Sequence, residues 1–160
     1  MLPKPIEKIL IALDYNPTAQ KVAETGYSMA RAMNAEVILL HVIVDEVYYS
    51  SLEYSPMMGN STFVRLKLNP MIDSDGLKDA SQAFLNESKH HLGDEKIQTL
   101  VVEGDFAEEI LKAAKDFHAD LIVMGSHSQR WLEKILIGSV TEKVLNNTSI
   151  PLFIIPTKKA

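Results

Sequence analysis

The chain contains no cysteine among its 160 residues. This absence excludes a disulfide framework, a thiolate nucleophile and a cysteine-based zinc site. Since such a composition suits a reducing compartment, we expect a cytoplasmic protein.

Positive charge and long apolar runs are also scarce. The 16 Lys and Arg residues are outnumbered by 21 Asp and Glu residues, which gives a net charge of −5. Nucleic-acid binding needs a basic face for the phosphate backbone, so we expect no nucleic-acid partner. No apolar run approaches the roughly 18 residues of a membrane span, and the amino-terminal "MLPKPIEK" has no apolar signal core. We therefore expect no membrane partner.

Several catalytic signatures are missing. There is no Gly-x-x-x-x-Gly-Lys-Ser/Thr loop to steady outer phosphates, and "GSHSQ", from Gly125, lacks the last glycine of a nucleophile elbow. Four histidines do not fall at metal-ligand spacing, so we predict no protein metal site: His90, His91, His118 and His127. His41 lies within a strand-like run of Leu and Val, which is typical of a core histidine. We assign no catalytic residue.

What the sequence does contain is an alternation of short apolar runs with segments of helical period. The five apolar runs are "KILIALD" (8–14), "EVILLHVIV" (36–44), "IQTLVVEG" (97–104), "ADLIVMG" (119–125) and "IPLFIIP" (150–156). Strands that alternate with helices predict an α/β fold, in which a parallel sheet is covered by helices on both faces. The length predicts a single domain over residues 1–160.

Helix ends are marked by capping residues. The marks are Asn16 as a cap with Pro17 at the first helical position, Asn34 as a stop, Asp105 with Glu108, and Ser139 with Glu142. For the last helix, Val140, Val144 and Leu145 are predicted to face inward. From Glu46 to Gly76 neither period holds, and we interpret this stretch as a mobile insertion. It is either a lid or partner surface, or a variable surface loop.

The predicted fold indicates where a ligand binds. In open α/β sheets, ligands lie beyond the carboxyl ends of the strands. Asp14, the stretch from Val42 to Asp45, and Gly125 reach that edge, and Gly138-Ser139 begins a helix whose amino terminus attracts anions. An anion such as a phosphate chain therefore fits between Gly125 and Gly138-Ser139.

These segments resemble the universal stress protein family. The resemblance lies in "ILIALD", "VILLHVI", "GDFAEEIL", "ADLIVMGSH", "GSVTEKV" and "IPLFIIP", in register along nearly the whole chain except the insertion. The nucleotide-binding branch of that family has a motif of Gly, two residues, Gly, nine residues, then Gly with Ser or Thr. Gly125 and Gly138-Ser139 match it, whereas Ser128 stands at the second glycine. A Cβ at positive φ costs about 1 kcal/mol, but serine is small and its hydroxyl can donate, so we expect weakened binding rather than none.

The resemblance implies a Rossmann-like five-stranded sheet of order 3-2-1-4-5 and an adenine-nucleotide site. Asp14, the backbone of Val42 and nearby Ala12 would meet adenine and ribose. Other residues would wall the ribose or hold the phosphates by N–H and hydroxyl groups: Met124, Gly125, Ser126, Ser128, Gly138, Ser139, Val140 and Thr141. The ligand would be ATP, AMP or another adenine nucleotide, and Mg²⁺ would arrive with ATP near Ser139 and Thr141.

Three functions follow from the resemblance. The first is an ATP-binding stress-response and signalling module whose nucleotide occupancy modulates the interaction with a protein partner. The second is a nucleotide-free dimeric interaction protein, and the third is a slow adenine-nucleotide hydrolase with at most weak ATPase activity. For all three the resemblance implies a homodimer through the last strand, with an interface at Leu152, Phe153, Ile154 and Ile155.

Overall fold

The computed structural model describes residues 2–14, 17–43, 74–126 and 139–157. Nine elements lie in these ranges: β1 Lys8–Ala12, α1 Ala19–Met33, β2 Glu36–Ile43, α2 Ser74–Leu92, β3 Gln98–Glu103, α3 Phe106–Asp116, β4 Leu121–Gly125, α4 Ser139–Asn147 and β5 Leu152–Ile155. Strands and helices alternate as the apolar pattern predicts.

The five strands form one parallel sheet of order β3-β2-β1-β4-β5. The predicted α/β fold and strand order are confirmed. The order places β1 in the centre, and the chain crosses to the other half of the sheet between β3 and β4. This reversal is the point at which parallel α/β sheets bind ligands.

Side chains alternate between two apolar layers. On one face, α1 and α2 pack on Ile9, Ile11 and Leu39, whereas on the other α3 and α4 pack on Leu10 and Leu40. All five of these strand side chains are fully buried. Since both faces are covered, the central strands are apolar without alternation, which explains why they appear in the sequence as continuous apolar runs.

The amino edge of the sheet is closed by one carboxylate. Asp120 precedes β4, and its Oδ2 accepts the main-chain N–H groups of Glu7 (3.0 Å) and Lys8 (3.1 Å). Its Oδ1 accepts from Lys4 Nζ at 2.6 Å, and its own N–H donates to the Lys8 carbonyl at 2.8 Å. The ammonium of Lys4 and the two amides hold the pKa of Asp120 below its usual range.

Two of the capping predictions are confirmed, and the one for the start of α1 is wrong. Asn34 ends α1 in the left-handed conformation, with φ of 55°, as predicted. Asp105 caps α3, accepting the Glu108 N–H at 3.0 Å. The start of α1 was predicted wrongly, because Thr18 is the N-cap residue and Pro17 lies in a turn before it. The turn delays the helix by two residues.

The inner face of α4 also differs from the prediction. Leu145 is 47% exposed, whereas Thr141 and Val144 are buried. Thr141 faces inward because its hydroxyl finds a main-chain acceptor at the end of β4, which lets a polar residue occupy an inner position.

Two further observations concern the predicted insertion. Helix α2 begins at Ser74, so the last three residues assigned to the insertion belong to a helix. The rest of it lies outside the described residues, as do Asn16, Ser128 and Gly138.

No helix in the described ranges has the length and apolar character that crossing a membrane requires.

Candidate functional site

A cleft opens at the carboxyl edge of the sheet, between the two helical layers. About 670 Å³ of space outside atoms lies within it, part of which is open to solvent. Its lining residues are Ala12, Leu13, Asp14, Thr18, Ala19, Val22, Leu40, Val42, Phe106, Ile110, Met124, Gly125, Val140, Thr141 and Thr157. They come from β1, β2 and β4 and from the helices that follow, so the cleft lies where the strand order reverses.

The lining chemistry is mostly apolar with a few polar groups. The aliphatic and aromatic side chains form most of the wall, and Asp14 supplies a carboxylate. Three threonines, Thr18, Thr141 and Thr157, belong to the lining as well. Such a wall suits a flat, largely apolar ring system with a hydroxylated group attached, because apolar area supplies affinity and a few polar groups fix orientation.

Gly125 sits where backbone and side chains are crowded. A Cβ at this position would lie 3.0 Å from Thr157 Cγ2 and 3.1 Å from Val22 Cγ2, both of which are closer than ordinary contact. Its φ is not in the left-handed region, so the glycine is needed for space rather than for conformation.

The amino terminus of α4 is fixed to the end of β4. Thr141 Oγ1 donates to the Gly125 carbonyl at 3.0 Å, and the Thr141 side chain is 1% exposed. The hydroxyl that was predicted to hold a phosphate therefore donates its hydrogen bond to the main chain of the protein itself. Its role in the structure is to bring the first turn of α4 to the cleft.

Ser126 and Thr157 form a second link behind Gly125. Ser126 Oγ accepts the Thr157 N–H at 3.1 Å and lies 3.4 Å from Thr157 Oγ1, and Ser126 N–H donates to the Ile155 carbonyl at 2.9 Å. Ser126 is 8% exposed and is not part of the lining, whereas Thr157 is. The sequence analysis missed Thr157, although its place directly after β5, at the carboxyl edge, was the signal that could have found it.

His41 is a core histidine, as predicted. It is fully buried on β2, its ring packs edge-on against Phe84 with centroids 5.6 Å apart, and its Nδ1 lies 2.9 Å from the Leu13 carbonyl. Because a carbonyl only accepts, Nδ1 carries the proton. Burial lowers the pKa of His41 to about 4, although the hydrogen bond to Leu13 opposes the shift. The ring is therefore neutral near pH 7.

The structure brings together most of the predicted site residues. Seven of the eleven line the cleft: Ala12, Asp14, Val42, Met124, Gly125, Val140 and Thr141. Ser126 lies behind the lining, and Ser139 is exposed as the first residue of α4. The other two, Ser128 and Gly138, lie outside the described residues. Residues missed at the rim and wall, such as Phe106 and Ile110, belong to α3, whose approach to the cleft depends on packing rather than on a motif.

A metal centre was sought among the described ranges. They contain no group of three or more His, Asp or Glu side chains placed to hold a metal ion. Among the described residues that line the cleft, Asp14 is the one acidic residue.

Comparison with known proteins identifies the family. Residues 5–156 match the universal stress protein family, and the chain belongs to it. The chain is similar to the universal stress protein MJ0577 of Methanocaldococcus jannaschii, at 29% identity over 171 residues that cover 96% of this chain and 97% of that protein.

Solved structures agree with the fold. A structure of MJ0577 aligns with a TM-score of 0.71 and 31% identity, covering 98% of this chain and all of that one. A universal stress protein in complex with cAMP aligns with a TM-score of 0.64 and 17% identity, covering 97% and 100% of the two chains. Another, from Archaeoglobus fulgidus in complex with dAMP, aligns with a TM-score of 0.60 and 15% identity over 95% and 99%.

Proposed function

We propose that this universal stress protein binds an adenine nucleotide, ATP in the first place, in the carboxyl-edge cleft, and that occupancy modulates its interaction with a protein partner. The observation that carries the proposal is the convergence of seven motif-predicted residues, from β1, β2, β4 and α4, on one cleft. A ligand can shift a surface only if it binds two conformations with different affinity, so the occupied and empty forms must differ near the cleft.

The apolar part of the cleft is assigned to adenine and ribose. Ala12, Val42 and Met124 line the cleft and would pack on the flat base, and the main chain of Val42 would meet its edge. Asp14, two residues after β1, would accept a charge-assisted hydrogen bond from the ribose hydroxyls. Gly125 keeps this part of the cleft open.

The phosphates are assigned to the start of α4. Ser139 is the first residue of this helix and is exposed, with Val140 and Thr141 next along the chain. The main-chain N–H groups of a first helical turn have no partner within the helix, and the helix dipole favours an anion there. Ser128, Ser126 and Gly138 complete the assigned set, and Mg²⁺ would enter with ATP near Ser139.

Two family members support an adenine ligand. The universal stress proteins solved with cAMP and with dAMP carry an adenine base in each case, and both align along nearly this whole chain. AMP or another adenine nucleotide is therefore included in the proposal beside ATP.

A homodimer through β5 is proposed as well. The strand is at the edge of the sheet, and Phe153, in its middle, is 38% exposed. Apolar edge strands are commonly covered by another chain. Replacement of Phe153 with lysine is expected to shift the mass measured by light scattering toward the monomer, while an unchanged mass would remove β5 from the interface. Ile155 is unsuitable for this test because its side chain is 2% exposed and belongs to the core.

The other two functions differ in what they need from the cleft. A nucleotide-free dimeric interaction protein is favoured by one observation, the serine at position 128 in place of the motif glycine. A slow hydrolase requires a base or cation near the phosphates, and the described lining offers only Asp14 as a charged group.

We place the protein in the cytoplasm, as one domain over residues 1–160 with an insertion from 46 to 73.

The deciding experiment is a thermal melt of nucleotide-stripped protein with millimolar MgATP, AMP or GTP. At 100 times its dissociation constant, a ligand stabilises the fold by about 2.7 kcal/mol, or roughly 5–11 °C for a domain of this size. A shift with ATP or AMP and little with GTP would support the proposal. The absence of a shift with any nucleotide would contradict it and favour the nucleotide-free protein.

A further inference from the structure

The main chain of β2 changes its partner at the point where the cleft begins. Along β2, alternate residues direct both main-chain groups toward β1: Glu36 N–H donates to the Glu7 carbonyl, and the Leu40 carbonyl accepts from Leu13 N–H, each at 2.8 Å. Residues between them face β3 instead, as the Ile43 carbonyl does in accepting from Gly104 N–H at 2.9 Å. By this alternation, Val42 directs its main-chain groups toward the β1 side.

In a regular parallel ladder, the Val42 N–H would donate to a main-chain carbonyl of the neighbouring strand. Continued along the strands in steps of two residues, the register that joins Glu36 to Glu7 brings the Val42 N–H to the Leu13 carbonyl. The described residues contain no main-chain hydrogen bond between these two groups. The Leu13 carbonyl accepts instead from the side chain of His41, whose Nδ1 lies 2.9 Å away.

We infer that His41 is a positioning residue for the nucleotide cleft. Its neutral ring donates to the Leu13 carbonyl, so this carbonyl does not accept from the main chain of β2. The Val42 N–H therefore has no main-chain acceptor on β1 and can donate to a ring nitrogen of a bound base. This inference rests on the proposed function for the identity of the ligand, but not for the geometry. Val42 lies in the cleft lining, and His41 itself does not, so its effect passes through Leu13 and Val42.

The surroundings of His41 suit this role. The ring is fully buried against Phe84, which restricts its rotation, and burial keeps it uncharged near pH 7, so one tautomer with the proton on Nδ1 is maintained. A leucine here would fill a similar space but could not donate to the carbonyl. An asparagine can place its amide nitrogen close to the position of Nδ1 and keep the donor.

The test uses amide hydrogen exchange, resolved by NMR, on wild type, His41→Leu and His41→Asn without nucleotide. In wild type and His41→Asn, the Val42 amide is expected to exchange at least about tenfold faster than the Leu40 amide, which stays within the ladder. In His41→Leu, the Leu13 carbonyl is released to Val42, and exchange of the Val42 amide is expected to slow at least about tenfold. His91→Leu, at an exposed histidine outside the cleft lining, is the matched control and is expected to match wild type.

Nucleotide affinity is then measured for the same four proteins. His41→Leu is expected to bind ATP about tenfold more weakly and to lose most of its preference for ATP over GTP, because the hydrogen bond to the base is lost. His41→Asn is expected to retain both affinity and preference.

The outcomes separate the two proposals. If the Val42 amide already exchanges slowly in nucleotide-free wild type, the proposed role of His41 is wrong, whatever the protein binds. The same holds for His41→Leu if it keeps the affinity and the ATP preference of wild type. If the exchange pattern is as expected but millimolar ATP and AMP neither bind nor slow the Val42 amide, the adenine-binding function fails and the positioning of Val42 by His41 is upheld.

Discussion

The two ends of the sheet differ in where their polar groups find partners. At the amino edge, Asp120 joins the main chain of Glu7 and Lys8 to the start of β4, so these groups are satisfied within the protein. At the carboxyl edge, the partners are arranged around a cleft: Thr141 donates to the Gly125 carbonyl, Ser126 Oγ accepts from the Thr157 N–H, and Asp14 belongs to the lining. The amino edge therefore joins neighbouring strands directly, while the carboxyl edge surrounds a cleft.

The separation has a physical basis in the parallel arrangement. All strands begin at one edge and end at the other, so connections from helix to strand and from strand to helix lie on opposite sides. Mutations at the two edges should consequently change different measured quantities.

The largest effect is expected at Gly125. In Gly125→Val, the branched side chain would push Thr157 and Val22, whose methyl groups lie 3.0 and 3.1 Å from an added Cβ. Overpacking should cost about 1–3 kcal/mol of unfolding free energy. Because the displaced side chains line the cleft, ATP affinity should fall at least about 100-fold, as measured by calorimetry.

Gly93 provides the matched control for this change. It has φ of +73° and nothing within 4 Å of an added Cβ. Gly93→Ala should lose about 1 kcal/mol of stability through backbone strain while ATP affinity is unchanged. Equal losses of affinity in both variants would mean that Gly125 does not define the cleft.

Asp120→Ala tests the amino edge. Its removal leaves the amides of Glu7 and Lys8 without their acceptor, and we expect the unfolding free energy to fall by about 1–3 kcal/mol. ATP affinity measured well below the melting temperature should stay within about twofold of wild type, since additivity holds for distant sites. A strong loss of affinity would show that the two edges are coupled.

The pH dependence of stability should reveal the buried histidine. The pKa of His41 is lowered to about 4 in the folded protein, against 6.5 for the unfolded chain. The unfolded state therefore takes up a proton first as the pH falls, and the stability present above pH 6.5 is lost progressively toward pH 4. Between pH 7.5 and 5 the loss should be about 2 kcal/mol. Urea unfolding of wild type and His41→Asn measures it, and parallel pH profiles would contradict it.

Thr141→Val is expected to have the smallest effect. The change removes the donor to the Gly125 carbonyl and keeps the buried shape, so stability should fall by about 1 kcal/mol in urea unfolding. ATP affinity should fall about threefold as α4 loosens from β4. Thr99→Val, which removes an acceptor of Gln82 on β3, is the control and should leave affinity unchanged.

Much of the fold was predictable because its signals are local or periodic. The continuous apolar runs mark strands buried on both faces, and Asn34 and Asp105 end and begin helices by their own backbone and side-chain chemistry. The start of α1 was predicted wrongly, since both Asn16 and Thr18 suit a cap and the turn at Pro17 decides between them.

The site was predictable only in part. Gly125 is the last residue of β4 and Asp14 comes two residues after β1, so their place at the carboxyl edge follows from the strand pattern alone. Phe106 and Ile110 reach the cleft through the packing of α3 against elements far apart in the chain, and no spacing reveals that. Leu145 shows the same limit, because the turn of a short helix is set by the partner that Thr141 finds rather than by its apolar residues.

Helix α4 joins the cleft to the lateral edge of the protein. One end is fixed to β4 through Thr141, and after nine residues, or about 13 Å, a turn closed by Thr148 and Ile150 leads into β5. Because a helix moves largely as one unit, a small tilt of its first turn would also move the chain that leads into β5, the strand that bears Phe153. Under the proposed function, α4 is thus one of two covalent connections between the nucleotide cleft and the β5 interface, the other being the short segment from Ile155 to Thr157.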